Sequence, residues 1–192
     1  EWESAQRLLI NRSVQAAVFE TTARHLLSEG LPYDRCQVGV ITSMPKAEGL
    51  EDLYIHSDEQ MPNVVRTQMD VVLSHGMAVL NAEDDEVANL AQYCDGEVTY
   101  FASSEEHPRI VQHRSENGRV VFWRKNHLVL AQGAHEIEAL NRQLPAIDKV
   151  FKNKHLKCME VLAASAAAWA LGIQTDLIRA GIKSFGQSPG AH

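Results

Sequence analysis

Positive charge is scarce in this chain: 18 Lys and Arg stand against 25 Asp and Glu, a formal net charge of −7 with His neutral. An acidic balance of this size argues against nucleic-acid partners and against an anionic membrane surface. Long apolar runs are missing too. The longest weakly polar stretch, residues 161–173, is alanine-rich and too short to span a bilayer, and no 18-residue apolar segment occurs. The first residues are acidic and amphipathic, unlike a signal peptide. Only three cysteines are present, Cys36, Cys94 and Cys158, widely spaced and without CxxC, which suits reduced thiols and a cytoplasmic setting. Nine histidines include no HExxH and no HxH. His107 and His113 flank Pro108 at a loop-like spacing, and a zinc site needs three or four convergent ligands, so no metal is expected. Trp2, Trp123 and Trp169 have no spacing that builds a stacking platform, and Trp169 reads as a core or interface anchor.

What is present is an α/β alternation. With 45% hydrophobic and 22% charged residues in 192, the chain can bury a sizeable core as one soluble domain. Residues 14–42 read VQAAVFETTARHLLSEGLPYDRCQVGVIT. Two apolar, β-branched-rich runs, residues 14–19 and 38–41, flank a short helix and a turn at Gly30-Leu31-Pro32, the pattern of a βαβ unit and a parallel sheet. In such sheets ligands sit at the carboxyl ends of the strands, here near Glu20-Thr21 and Thr42-Ser43. A helix is expected over residues 4–11 and another over 58–74, with Ser57 as N-cap and Gly76 as stop. A third strand follows at 77–80, a helix at 84–93 and a fourth strand at 98–101. Residues 109–138 change character: 119–123 and 128–130 form a hairpin around Lys125-Asn126, with a short strand at 136–140. Residues 156–171 and 175–185 read as helices, the second capped by Thr175. The small side chains of AASAAAWA (163–170) suit a closely packed, buried helix.

Glu20-Thr21-Thr22-Ala23-Arg24-His25-Leu26-Leu27-Ser28-Glu29-Gly30-Leu31, followed by Tyr33-Asp34-Arg35-Cys36-Gln37, resembles a run in the Mur-ligase-like half of cyanophycin synthetases. There the frame reads Glu-Thr-Ala-Arg-Gly-Gly-Ile-Leu-Arg-Glu-Gly-Leu and then Phe-Asp-Arg-Cys-Asp. AVLNAEDDEVA (78–88), VLAASAAAWALGI (161–173) and DLIRAGIKSF (176–185) carry the likeness through nearly the whole chain. The resemblance implies a Mur-ligase-like central domain: a mainly parallel sheet flanked by helices, with a small antiparallel edge hairpin. Residues 1–187 would form that domain, cut short at its N-terminus, and 188–192 a linker or tail.

In the intact family ATP and magnesium serve amide-bond formation, and a P-loop cradles the phosphates. No GxxxxGK[ST] occurs in these residues. The family's Gly-Gly falls on Arg24 and His25, its Asn after the second strand on Ser43, and its Asp-His-Leu-Gly loop on Glu48-Gly49-Leu50-Glu51. Asn-Ala-Asp-Asp survives in part as Asn81-Ala82-Glu83-Asp84. A late His-x-x-x-Asn aligns with Leu156 and Glu160, with His155 one residue out of register. Some cyanophycin synthetases carry a degenerate Mur-like half beside a working ATP-grasp half and polymerise ready-made β-aspartyl-arginine dipeptides, and the chain looks like that half.

The expected function is therefore a non-catalytic scaffold or oligomerisation module in cyanophycin metabolism, with no cofactor of its own. It would associate with itself or with the rest of a synthetase, because a sheet edge left bare is a pairing liability. One alternative is an active ATP-dependent amide ligase, in which Asn81 and Asp84 would matter. Another is a small-ligand or peptide-binding module near Glu20, Arg24, His25 and Thr42. Arg24-His25 could take a phosphate or carboxylate, or simply fill an abandoned pocket. Glu83-Asp84-Asp85-Glu86 could hold magnesium or could serve as acidic charge at a helix N-terminus.

Overall fold

Successive residues of the central strands enter opposite layers, and this period of two builds the core. The computed structural model describes residues 2–141 and 158–185. One six-stranded sheet organises them, with strands in chain order: β1 (Cys36–Ile41), β2 (Val72–Asn81), β3 (Glu97–Ala102), β4 (Arg119–Arg124), β5 (His127–Gln132) and β6 (His135–Asn141). β1 to β4 are parallel, and β5 and β6 add antiparallel neighbours at one edge. Ala78, Leu80, Tyr100, Ala102, Val120 and Phe122 face one layer, while Val79, Phe101, Val121 and Trp123 face the other.

The helices divide accordingly. Because the strand order advances one place at a time, right-handed crossovers put every connecting helix on the same face. Those are α3 (Met61–Asp70), α4 (Asp85–Asn89) and α5 (Pro108–Ser115), which bury Val65, Met69, Val87, Ala88 and Ile110 against the first layer. The second face is covered by α6 (Cys158–Ala170) and α7 (Thr175–Phe185) through Val161, Leu162, Ala163, Ala166 and Ile178. The alanine-rich α6 lies across β1 to β4, close packing that its small side chains permit. A smaller cluster of Ala47, Leu50, Ile55 and Met61 sits under α2 (Ala23–Ser28), and α1 (Trp2–Leu9) opens the chain.

Several expectations need correction. Residues 14–19 have no regular secondary structure and pair with no strand, and Val18 is 90% exposed. The leading strand of the expected βαβ unit is therefore absent, and no strand pairs with the outer edge of β1, among the described residues. β-Branched residues favour a pleated, half-buried surface, but without a ladder partner that preference has nothing to act on. The helix expected over 58–74 is a 3-10 turn (Asp58–Gln60) followed by α3, which stops at Asp70. The Gln60 side chain accepts from the Ser57 N–H, and Pro62 falls in the first turn of α3, where its missing N–H costs nothing. Val72 and Leu73 belong to β2, so Gly76 lies inside a strand and ends no helix. Residues 108–115, to which the sequence pattern assigns no element, form α5, so the loop-like spacing of His107 and His113 is helical.

The hairpin at Lys125-Asn126 and the third short strand are as expected, and Lys125 takes a φ of 55° in the two-residue turn. Leu156, His155 and the 188–192 tail lie outside the described residues. No described helix is long and apolar enough to cross a membrane.

Candidate functional site

At the carboxyl ends of β1 and β2 the expected residues do meet, but they are engaged with the chain itself. Asn81, the last residue of β2, donates from Nδ2 to the Thr42 carbonyl at 2.9 Å and accepts the Glu83 N–H on Oδ1 at 2.9 Å. Asp84 is the N-cap of α4: Oδ1 accepts from Glu86 N at 3.1 Å and Val87 N at 3.2 Å. Its other oxygen accepts the Met44 N–H at 3.0 Å, tying the loop after β1 to the start of α4. Glu83 accepts from the backbone N–H and hydroxyl of Ser103 beyond β3, at 2.6 and 2.5 Å. Arg109 of α5 donates to the Ala82 carbonyl at 2.9 Å and pairs with Asp85 at 3.0 Å. The acidic run thus serves as a cap and as loop stitching, one of the two readings it allowed.

Arg24 and His25 stand apart on α2. Thr22 caps this helix through its hydroxyl, 3.3 Å from His25 N, and His25 Nδ1 lies 3.0 Å from the same oxygen. Arg24 forks onto Asp52, with both contacts at 2.9 Å, and also donates to the Gly49 carbonyl. The hydrogen bonds and charge of Arg24 hold the Asp52 carboxyl below its usual range. Glu20 is exposed in the irregular segment ahead of the cap, and Thr42 is exposed just past β1. The six expected residues therefore form two groups, Asn81–Thr42–Asp84 at the strand ends and Arg24–His25 over the 49–52 loop, with Glu20 outside both.

This set is a poor fit to a magnesium nucleotide. Such a group needs uncommitted oxygen ligands and backbone amides aimed at phosphate, whereas the Asp84 oxygens and the Asn81 amide are spent on backbone partners. Arg24 fills space that a pair of glycines would leave open. Open α/β sheets place their ligand crevice where strand order reverses. Among the described residues the order never reverses. Nor do three or more His, Cys, Asp or Glu side chains gather in a metal-binding group among them. Cys36 and Cys94 are half-buried, and burial pushes both thiols up, away from the reactive thiolate. Sequence reasoning missed Asp52, Ser103 and Arg109. Each meets a partner 20 or more positions away along the chain, so no local pattern announces it.

No protein-family model matches the chain. The chain is 33% identical over 191 residues to a cyanophycin synthetase of Geminocystis herdmanii, covering 98% of this chain and 21% of that protein. A cyanophycin synthetase of Synechocystis is 31% identical over 184 residues, 95% of this chain and 21% of that protein. A third, from Nostoc, is 29% identical over 195 residues, again 98% of this chain and 21% of that protein. Over nearly its whole length, then, the chain is similar to one segment of the cyanophycin synthetases, a segment making up about a fifth of each of these relatives.

Proposed function

We propose that this chain is a degenerate Mur-ligase-like central domain of a cyanophycin synthetase, without ligase chemistry of its own, acting as a scaffold or oligomerisation module in cyanophycin biosynthesis. The similarity over 98% of the chain supports the role in synthesis. The observation that carries the non-catalytic part is Arg24. It stands where the resemblance places a glycine, and it is locked to Asp52 and Gly49 of the 49–52 loop. An engaged guanidinium on bulky neighbours leaves a phosphate chain no close approach to the backbone. ATP and magnesium then belong to the intact family and not to these residues.

The outer edge of β1, which no strand among the described residues pairs, supplies a reason for association. Its side chains are Cys36, Gln37, Val38, Gly39, Val40 and Ile41, with no charge to discourage pairing. The partner is a second copy or the remainder of a synthetase.

Calorimetry with Mg-ATP on this chain tests the first half. No heat is expected at about millimolar nucleotide, and saturable binding at about micromolar affinity would restore the ligase reading. Sedimentation tests the second half. A stable oligomer, or a complex with the other synthetase segments, is the expected result. A monomer that ignores those segments refutes the scaffold.

A further inference from the structure

A different chemistry occupies the opposite end of the sheet. Cys36 of β1 pairs with Val72 of β2 but Val38 pairs with Met77, so residues 73–76 of β2 bulge out opposite Gln37 alone. This bulge, the amino ends of β1, β3 and β4, and the end of α6 enclose a cavity of about 400 Å³, lined by Gln37, Ser74, His75, Glu97, Arg119 and Leu171 among others. That volume lies within the range of small-molecule sites, about 300–1,000 Å³. Two glycines hold the rim tight. A Cβ on Gly76 would sit 2.6 Å from the Gln37 carbonyl oxygen, and one on Gly96 2.7 Å from that of Leu73.

Arg119 sets the character of the cavity. Its guanidinium stacks over Trp169 of α6, with Cζ 5.0 Å from the ring centroid, and Nη1 lies 3.9 Å from Met77 Sδ. Its Nε is buried with no hydrogen-bond acceptor, and no carboxylate lies within ion-pair distance among the described residues. By contrast Arg24, Arg66, Arg109, Arg114, Arg124 and Arg179 each hold one. Glu97 is exposed on the same wall and likewise lacks a cationic partner among the described residues.

Strand register places the two charges on one face. Thr99 pairs with Arg119, and Glu97 is two residues earlier on β3, so both side chains take the α6 side of the sheet. Their Cα positions are offset by about 8 Å, from the rise of two residues and the spacing of one strand. Unlike charges held apart across a cavity suit a ligand that carries both.

We propose that this cavity binds a small zwitterion, an amino acid or short peptide, with its carboxylate on the Arg119 fork and its ammonium toward Glu97. The site lies away from the carboxyl-end residues and does not depend on the scaffold reading. The Trp169 face pre-orients the guanidinium, and planar arginine forks match carboxylates in two parallel hydrogen bonds.

Titration of this chain with three probes, followed by NMR or calorimetry, tests the assignment. Glycylglycine carries both charges, N-acetylglycine only the carboxylate, and glycinamide only the ammonium. Glycylglycine binds saturably, and each single-charge probe binds at least about tenfold more weakly. Arg119→Met keeps the stem against Trp169 and lowers glycylglycine affinity about tenfold. Glu97→Gln, at an exposed position that leaves folding intact, lowers it severalfold and leaves N-acetylglycine unchanged. The proposal is overturned by no saturable glycylglycine binding up to about 50 mM, by glycinamide binding equally well, or by indifference to Glu97→Gln. Inorganic phosphate binding as tightly as glycylglycine, with the same Arg119 dependence, overturns the zwitterion and leaves a plain anion site.

Discussion

Replacing Asp84 by alanine removes an N-cap and a loop anchor together. The cap is the pair of contacts from Oδ1 to Glu86 N and Val87 N, and the anchor is the contact from Oδ2 to Met44 N. Loss of an aspartate N-cap costs about 1 kcal/mol. The half-buried Met44 N–H loses its acceptor, which adds about 1 kcal/mol more. The sum, about 2 kcal/mol, lowers the midpoint of a domain this size by about 4–8 °C. Asp84→Asn retains a good cap and weakens only the anchor, so its loss is about half as large. Circular dichroism during heating, paired with urea titration to confirm an unchanged m-value, reads both variants. An Asp84→Ala protein within about 0.5 kcal/mol of the parent refutes the reasoning, as does an Asn variant as damaged as the Ala variant. The experiment also bears on function. A carboxylate kept for an absent ligand is stabilising or neutral to remove, whereas one kept for the fold is costly.

Three further outcomes follow from the packing and the charges. Phe101→Ala hollows the centre of β3, where the ring is fully buried, and costs about 3–5 kcal/mol in urea unfolding; a cost below about 1 kcal/mol contradicts the two-layer core. Hydrogen bonds from Arg124 foremost, then from Arg114, hold the Glu136 carboxyl down to about 2 against partial burial. Because the folded carboxyl ionises more readily than the unfolded one, this stabilisation is complete above pH 4.5 and fades as pH falls toward 2. Glu136→Gln should therefore cost about 1 kcal/mol at neutral pH, discounted for the exposure of the cluster, and flatten the acid limb of the stability curve; an unchanged limb means the pairs contribute nothing. Among the described residues, limited trypsin treatment should cut first at Arg12, ahead of the unpaired 14–19 segment, while β1 to β6 stay whole. Early cleavage at Arg119 or Arg124 would deny the sheet.

Much of the fold was legible because one face of each element is apolar at a readable period. VVFW and LVL alternate between the two cores and flank Lys125-Asn126, so the hairpin and its position could be read directly. Helix α7 was legible over residues 175–185, the same residues the structure shows, although Thr175 opens the helix and the Gln174 carbonyl accepts its first bonds. Helix α5 was not, since its eight residues hide a single fully buried side chain, Ile110, and otherwise look polar. Residues 14–19 misled for the opposite reason. Their composition suits a strand, but a strand exists only when a neighbour completes its hydrogen bonds. The candidate site was legible in part: Asn81, Asp84 and Thr42 do converge, as expected of residues at adjacent strand ends.

Taken alone, the sequence determined the α/β class, the strand periodicity, the acidic surface and the likeness to a segment of cyanophycin synthetases, all properties of neighbours along the chain or of composition. Only the tertiary structure decided what the site residues do. Arg24 is spent on Asp52, 28 positions away, because the 49–52 loop returns over α2. Asp84 is spent on Met44, 40 positions earlier, because β1 and β2 end side by side. Arg119 is left without a carboxylate among the described residues because the bulge in β2 opens a cavity beside it, whereas Arg24, Arg109, Arg114 and Arg124 each meet one. Charge and hydrogen-bonding capacity are written residue by residue, but whether they are satisfied depends on which distant backbone the fold brings within about 3 Å.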